Sequence, residues 1–179
     1  MTEEELIKAC IRNDGHAQKQ IFDSFSPRLM GVCLRYASDR DEANHMMQEG
    51  FIKIFLKIEK YSGSGSFGGW LHRTMVNTCL DAIRKKSKFK FDVEFEKAEY
   101  LVKEEEKTLS QIRTKELLAL IQGLPKGYRV VFNMFAIEGY SHKEIAEELE
   151  ITESTSKSQY RKARIWLQKA IVELDKINY

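Results

Sequence analysis

Proline is nearly missing from this chain: two occur in 179 residues. Helices therefore meet few obligatory breaks. Cysteine is scarce too, and Cys10, Cys33 and Cys79 stand apart with no Cys-x-x-Cys pair. That spacing argues against a disulfide framework or a thiolate metal site. It fits a reducing compartment in which the three thiols are small buried apolar groups. No apolar run is long enough to span a bilayer and no secretory leader is read. A cytoplasmic protein, not itself embedded in a membrane, is expected. Charge of one sign is not in excess, with 29 Lys and Arg against 27 Asp and Glu for a net +2. Affinity for a polyanion must then come from local patches rather than from bulk charge. The histidines, 16, 45, 72 and 142, fall on separate elements. No catalytic or metal-binding cluster is read, so no enzyme activity and no cofactor is expected.

What the chain does have is helical periodicity, without convincing strand alternation. At 42% hydrophobic and 31% charged it reads as an all-α fold of one or two domains. Residues 3–35 suggest two helices separated at Asn13-Asp14-Gly15, with Asp14 as a cap. Residues 41–59 form a strong helix with apolar positions Ala43, Met46, Met47, Phe51, Ile54, Phe55 and Ile58. A small-residue loop follows from Tyr61 to Gly69, then a helix from Trp70 to about Lys86. The stretch 87–110 is charged, mixed in sign and poor in small apolar residues, so it reads as a linker between domains 1–86 and 111–179. In the second domain Leu117, Leu118, Leu120, Ile121 and Leu124 belong to a helix that Pro125-Lys126-Gly127 ends. Val130, Val131, Met134, Phe135 and Ile137 belong to the next, which Glu138-Gly139 ends.

The segment from Ser141 to Arg164 carries the clearest functional signal. Ser141 and Glu144 make a capping box, and Ile145, Ala146 and Leu149 give the helix one apolar face. Glu150-Ile151 forms a turn, and Thr152 caps a second helix with Glu153 at its positive end. In that helix Tyr160, Ala163, Leu167, Ala170, Ile171 and Leu174 are expected inward. Thr155, Ser158, Gln159 and Lys162 form an outward stripe whose hydroxyl, amide and ammonium groups suit base edges. Lys157, Arg161 and Arg164 flank it and suit phosphates. A capped helix, a tight turn and an acid-free basic helix together fit a helix-turn-helix in a major groove.

The N-terminal domain offers two more surfaces. On the helix from Trp70, residues Leu71, Met75, Cys79 and Ala82 share one side, and Trp70, Arg73, Asn77, Asp81 and Arg84 share the other. An aromatic, an amide and cations beside a Gly/Ser loop suit single-stranded nucleic acid. A tryptophan at a helix start is also a common core anchor, and both readings stand. On the 41–59 helix His45, Gln48, Ile52 and Leu56, with Glu49 beside them, lie opposite the core stripe. This face is either a docking surface or buried by its own domain.

In order and spacing these motifs resemble the sigma-70 family of bacterial RNA polymerase sigma factors, in its extracytoplasmic-function (ECF) group, which retains regions 2 and 4. The resemblance covers nearly all the chain outside the linker. Glu42 to Glu49 is similar to the family's acidic stretch that docks on core RNA polymerase, with Asn44 and His45 where acids are usual. It implies polymerase contacts at His45, Gln48, Glu49 and Ile52. Phe67-Gly-Gly-Trp70-Leu71, Asn77, Asp81 and Arg84 resemble the region that melts the promoter's minus-ten element. The implied set there is Tyr61, Ser64, Trp70, Arg73, Asn77, Arg84 and Lys85, with a flipped base held by Tyr61, loop 62–66 and Asn77. Leu124 to Phe132 and Gly139 to Ala146 are similar to the opening of region 4. Its recognition helix would read the minus-thirty-five element through Thr155, Lys157, Ser158, Gln159, Arg161, Lys162 and Arg164. Here Ser154, Ser156 and Gln159 replace the usual Gly, Val and Arg. Ser156 would place a hydroxyl where an isopropyl packs, at a cost of about 1 kcal/mol or more unless it finds a partner. An outward Gln159 would favour adenine over guanine and so a different promoter element. The implied role is a promoter-specificity subunit, with core RNA polymerase, promoter DNA and an anti-sigma factor as partners. The alternative is a stand-alone helix-turn-helix regulator with an N-terminal sensing or dimerisation domain.

Overall fold

The computed structural model describes residues 2–86 and 109–177. Most of the expected linker, residues 87–108, lies outside that description, as do the side chains of Lys86 and Leu174. Among the described residues every regular element is helical. The chain divides into two compact units, Met1–Lys88 and Phe89–Tyr179.

In the first unit α1 spans Glu3–Ile11 and starts at a reciprocal Thr2–Glu5 capping box. Asn13 takes a left-handed φ of 60°. Asp14 then caps α2 (Gly15–Tyr36), its carboxylate accepting from the amides of His16 and Ala17 at 2.8 and 3.0 Å. Asp39 caps α3 (Arg40–Lys57), and a single 3-10 turn, Ile58–Lys60, closes it. The next helix, α4, runs Phe67–Lys86 and begins three residues before the expected Trp70. The Ser66 hydroxyl accepts from the Gly69 amide at 3.1 Å, and this cap outweighs the poor helix propensity of Gly68-Gly69.

Helices α2, α3 and α4 pack on one another around Ile21, Leu29, Tyr36, Met46, Ile54, Leu71, Met75 and Leu80, each no more than 2% exposed. Cys10, Cys33 and Cys79 are buried free thiols. Gly50 marks the closest approach: a Cβ built there would lie 2.3 Å from Met75 Sδ.

In the second unit α5 spans Leu109–Gly123, α6 Lys126–Phe132, α7 His142–Leu149 and α8 Glu153–Ile177. Pro125 does not end a helix at a distance; it stands directly before α6, where a missing amide costs nothing. The buried Arg129 guanidinium donates to the Gln122 carbonyl at 2.7 Å and so satisfies the end of α5. A π turn, Asn133–Ile137, extends α6, and Gly139 at φ 79° turns the chain toward α7. Leu124, Tyr128 and Ala163 form the buried centre, with Phe132, Trp166 and Leu167 packed against it. Ile171, expected inward, is open instead at 41% exposed, and Leu117 (52%) and Ile137 (42%) are open as well. For Ile171 the reason is length, since α8 has 25 residues and α7 only eight, which leaves the last turns of α8 without α7 to lie on.

The Gly50–Met75 contact makes a specific prediction. Met75→Ala should destabilise the N-terminal unit by about 2–5 kcal/mol. Gly50→Ala should cost stability in the wild type but much less in the Met75→Ala background, where its methyl enters the vacated space. Urea unfolding followed by Trp70 fluorescence in a Trp166→Phe background measures the cycle, and strict additivity would contradict the contact.

Candidate nucleic-acid and partner interfaces

Three surfaces stand out, two on the first unit and one on the second. On α3, His45, Gln48, Glu49 and Ile52 are all exposed, and Leu56 continues their line. Ile52 is 59% and Leu56 73% exposed. The opposite side of the helix is buried through Ala43, Met46, Met47, Phe51 and Ile54. The choice left open by the sequence is thus settled for this unit: its own core does not cover the second stripe.

The second surface lies on α4 and the loop before it. Arg73, Asn77, Arg84 and Lys85 are exposed, Trp70 is half-buried, and Leu71, Met75 and Cys79 face the core. The Tyr61, Phe67 and Trp70 rings form a cluster, with centroids 5.2, 5.8 and 6.0 Å apart and Phe67 stacked on Trp70 at 12°. Trp70 is therefore part anchor and part surface. The Tyr61 hydroxyl donates to the Gly65 carbonyl at 2.8 Å and closes the loop, which turns through positive φ at Gly63 and Gly65. Ser64 sits exposed in that loop. Arg84 is held by an ion pair with Asp81 at 2.6 Å, and Asp81 also accepts from Lys53 of α3 at 2.9 Å. Burial raises the Asp81 pKa, but the hydrogen bonds and charges of Lys53 and Arg84 outweigh it and hold the carboxyl below its usual range. Lys53 was not singled out in the sequence, because its pairing crosses between helices.

The third surface is the helix-turn-helix of α7 and α8. The capping box of Ser141 and Glu144 is formed, Glu150 takes the left-handed turn at φ 54°, and Thr152 accepts from the Thr155 amide at 3.0 Å. Lys157, Ser158, Arg161, Lys162 and Arg164 are exposed, Thr155 is half-buried, and Ser154 and Ile165 share the outward side. Lys157 pairs with Glu153 at 2.7 Å, and Arg164 lies 6.0 Å above the Tyr160 ring.

Gln159 is the correction. Expected outward, it is 5% exposed, and its Oε1 has no hydrogen-bond partner among the described residues. At about 100° per residue it lies only about 60° around α8 from Ser156, on the shoulder of the buried face. It therefore leaves the outward stripe of Thr155, Ser158 and Lys162. Ser156 does face inward, fully buried, and it has the partner its hydroxyl requires: His142 Nδ1 at 2.9 Å. His142 had been given no role. The clue was a hydroxyl on a core face, which obliges some neighbouring polar group to meet it.

Two outcomes follow for the second unit. Gln159→Met keeps the volume and removes the unpaired acceptor, so stability should hold or rise, by up to about 1–3 kcal/mol. A loss on thermal unfolding would mean that Oε1 has a partner. Burial, then the Lys157 ammonium, hold the His142 imidazole below its ordinary 6.5, against a smaller opposing pull from Glu153. The folded state thus keeps His142 neutral where the unfolded chain takes up a proton. Its stability contribution is present above 6.5 and is lost as pH falls below that value. Melting followed at Trp166 in a Trp70→Phe background should fall between about pH 7.5 and about pH 5.5. The fall should be shallower in His142→Phe.

Among the described residues no group of His, Cys, Asp or Glu could hold a metal ion, and no helix is long and apolar enough to cross a membrane. Two family descriptions match the chain: Sigma-70 region 2 over residues 21–89, and Sigma-70, region 4 over residues 114–167. The RNA polymerase sigma-H factor of Pseudomonas aeruginosa is 26% identical, covering 96% of this chain and 95% of that protein. The ECF RNA polymerase sigma factor SigW of Bacillus subtilis is 28% identical, covering 94% and 96%. Among solved structures, the sigma factor RpoE of Bartonella quintana, crystallised with the anti-sigma factor NepR, has a similar fold. It shows a TM-score of 0.50 at 19% identity, over 86% of this chain and 95% of that one. Both regions on one chain, in family order and over nearly the full length of the relatives, make this protein a sigma factor of the sigma-70 family, in its extracytoplasmic-function group.

Proposed function

We propose that this chain is the promoter-specificity subunit of RNA polymerase and that its three surfaces divide the work. The domains are 1–86 for polymerase docking and the minus-ten element, 87–110 as linker, and 111–179 for the minus-thirty-five element. His45, Gln48, Glu49 and Ile52, with Leu56, dock on core polymerase: apolar side chains left in water by their own fold are released from it by a partner. On α8 Thr155, Ser158 and Lys162 face bases, and Lys157, Arg161 and Arg164 face phosphates. Tyr61, Ser64, Trp70, Arg73, Asn77, Arg84 and Lys85 receive the opened minus-ten strand. Unstacking a base costs a few kcal/mol, and stacking on an aromatic returns about 1–3 kcal/mol per base. Strand opening on this reading draws on binding energy, and the chain performs no catalysis and uses no cofactor. It works in the cytoplasm, on the chromosome. An anti-sigma factor, of the kind crystallised with the Bartonella quintana protein, is its regulatory partner.

The observation that carries this reading is that one unit holds the closed Tyr61–Gly65 loop, an exposed Asn77 on α4 and the open Ile52–Leu56 stripe. A stand-alone dimeric regulator has no use for a strand-holding surface, and that alternative is not favoured.

Gel filtration with core RNA polymerase should show co-elution, and the mixture should transcribe from a cognate promoter. Ile52→Asp should abolish co-elution without lowering the melting temperature. Arg161→Ala should weaken promoter binding across sequences and reduce the slope of log affinity against log salt by roughly one. Wild-type protein that ignores core polymerase and binds palindromic DNA as a dimer would refute the assignment.

A further inference from the structure

Helix α7 buries Ile145 and Leu149, and α8 buries Ser156, Gln159 and Ala163. A hydrogen bond of 2.9 Å joins the two helices, between His142 Nδ1, in the first turn of α7, and Ser156 Oγ, in the first turns of α8. Ser156 is 0% exposed. The imidazole is itself clamped, stacked on Phe135 at 4.2 Å and 13°. Phe135 in turn lies 4.5 Å from the Tyr160 ring, and Phe132 stacks on Tyr160 at 19°. The π turn, α7 and α8 thus hold the His142 ring in one plane and one place.

Apolar contacts tolerate small rotations of a helix, whereas a hydrogen bond does not. Ser156 Oγ lies roughly 3 Å from the axis of α8, so turning the helix by about 20° moves it by about 1 Å and breaks the bond. The same turn moves side-chain tips on the far face, about 5–6 Å from the axis, by roughly 2 Å. That is enough to take a donor off one base edge and toward another.

We infer that the His142–Ser156 hydrogen bond fixes the rotation of α8 about its own axis and so selects which bases Thr155, Ser158 and Lys162 meet. His142 and Ser156 are positioning residues for promoter choice, and Ser156 acts from a site that DNA cannot reach. The inference rests on α8 being the reading helix, as proposed above.

The test uses the full chain assembled with core polymerase and a promoter library randomised at the minus-thirty-five element. Ser156→Val puts methyls in place of the hydroxyl, and His142→Phe keeps the stack without Nδ1. Each should change discrimination at one or more positions by about tenfold. The double variant should be no worse than either single one. Ser156→Thr and His142→Asn, which keep a hydroxyl or a polar atom near Nδ1, should restore the wild-type preference. The salt slope should stay unchanged throughout, because the phosphate-facing cations are untouched. If Ser156→Val and His142→Phe lower the melting temperature but leave the base preference as it was, the bond only holds the fold and the inference is overturned. If Ser156→Val does not fold, the preference of His142→Phe decides alone. A wild-type complex with no minus-thirty-five preference would remove the reading role of α8, and the inference with it.

Discussion

At Gly50 the backbone of α3 is bare, and Met75 of α4 occupies the space a side chain would fill. Both exposed surfaces of the first unit follow from this contact. Two residues on is about 200° around a helix. With Gly50 and Met75 pressed together, Ile52 must look away from the core on α3 and Asn77 must do so on α4, and both are exposed. A side chain at position 50 would force the end of Met75 to shift. In the second unit Ala163 plays a similar part. Fully buried between Leu124 and Tyr128, it lets α8 lie close to its neighbours. Lys162 and Arg161, one and two positions before it, are left outside.

Much of this was legible in the sequence because its causes are local. Ser141 and Glu144, or Asp14 before Gly15, declare helix starts through hydrogen bonds three residues long. Ile52 and Leu56 declare a second face because they fall opposite an unambiguous core stripe. What was not legible depends on neighbours. Gln159 lies on the shoulder between two faces, where helical period alone does not assign a side. Ser156 announced a need for a partner, but His142 is 14 positions away, and only the packing of α7 on α8 brings them together. The early start of α4 was hidden by Gly68-Gly69, whose low propensity drew attention from the Ser66 cap.

The charge balance takes on meaning once it is placed. A net charge of +2 gives the whole chain little attraction for DNA. Arg161, Lys162 and Arg164 nonetheless share the exposed part of α8, while Glu147, Glu148 and Glu150 are exposed at the end of α7 and in the turn. Acids beside the cationic face restrict the orientations in which a phosphate backbone is welcome. Within the first unit the acid is used differently. Asp81 ties Lys53 to Arg84 across two helices, so these two cations are held by an internal pairing rather than set loose in solvent.

The loop that Tyr61 closes has already given up its freedom. Fixing a backbone residue costs about 1–2 kcal/mol. For the residues from Tyr61 to Gly65 that cost is met when the first unit folds, through one hydroxyl donated to one carbonyl and a ring lodged against Phe67 and Trp70. A ligand arriving there finds a shape and does not have to make one. The tightness of its grip and the stability of the unit are then two readings of the same free energy, so the loop cannot be loosened for one purpose and left rigid for the other.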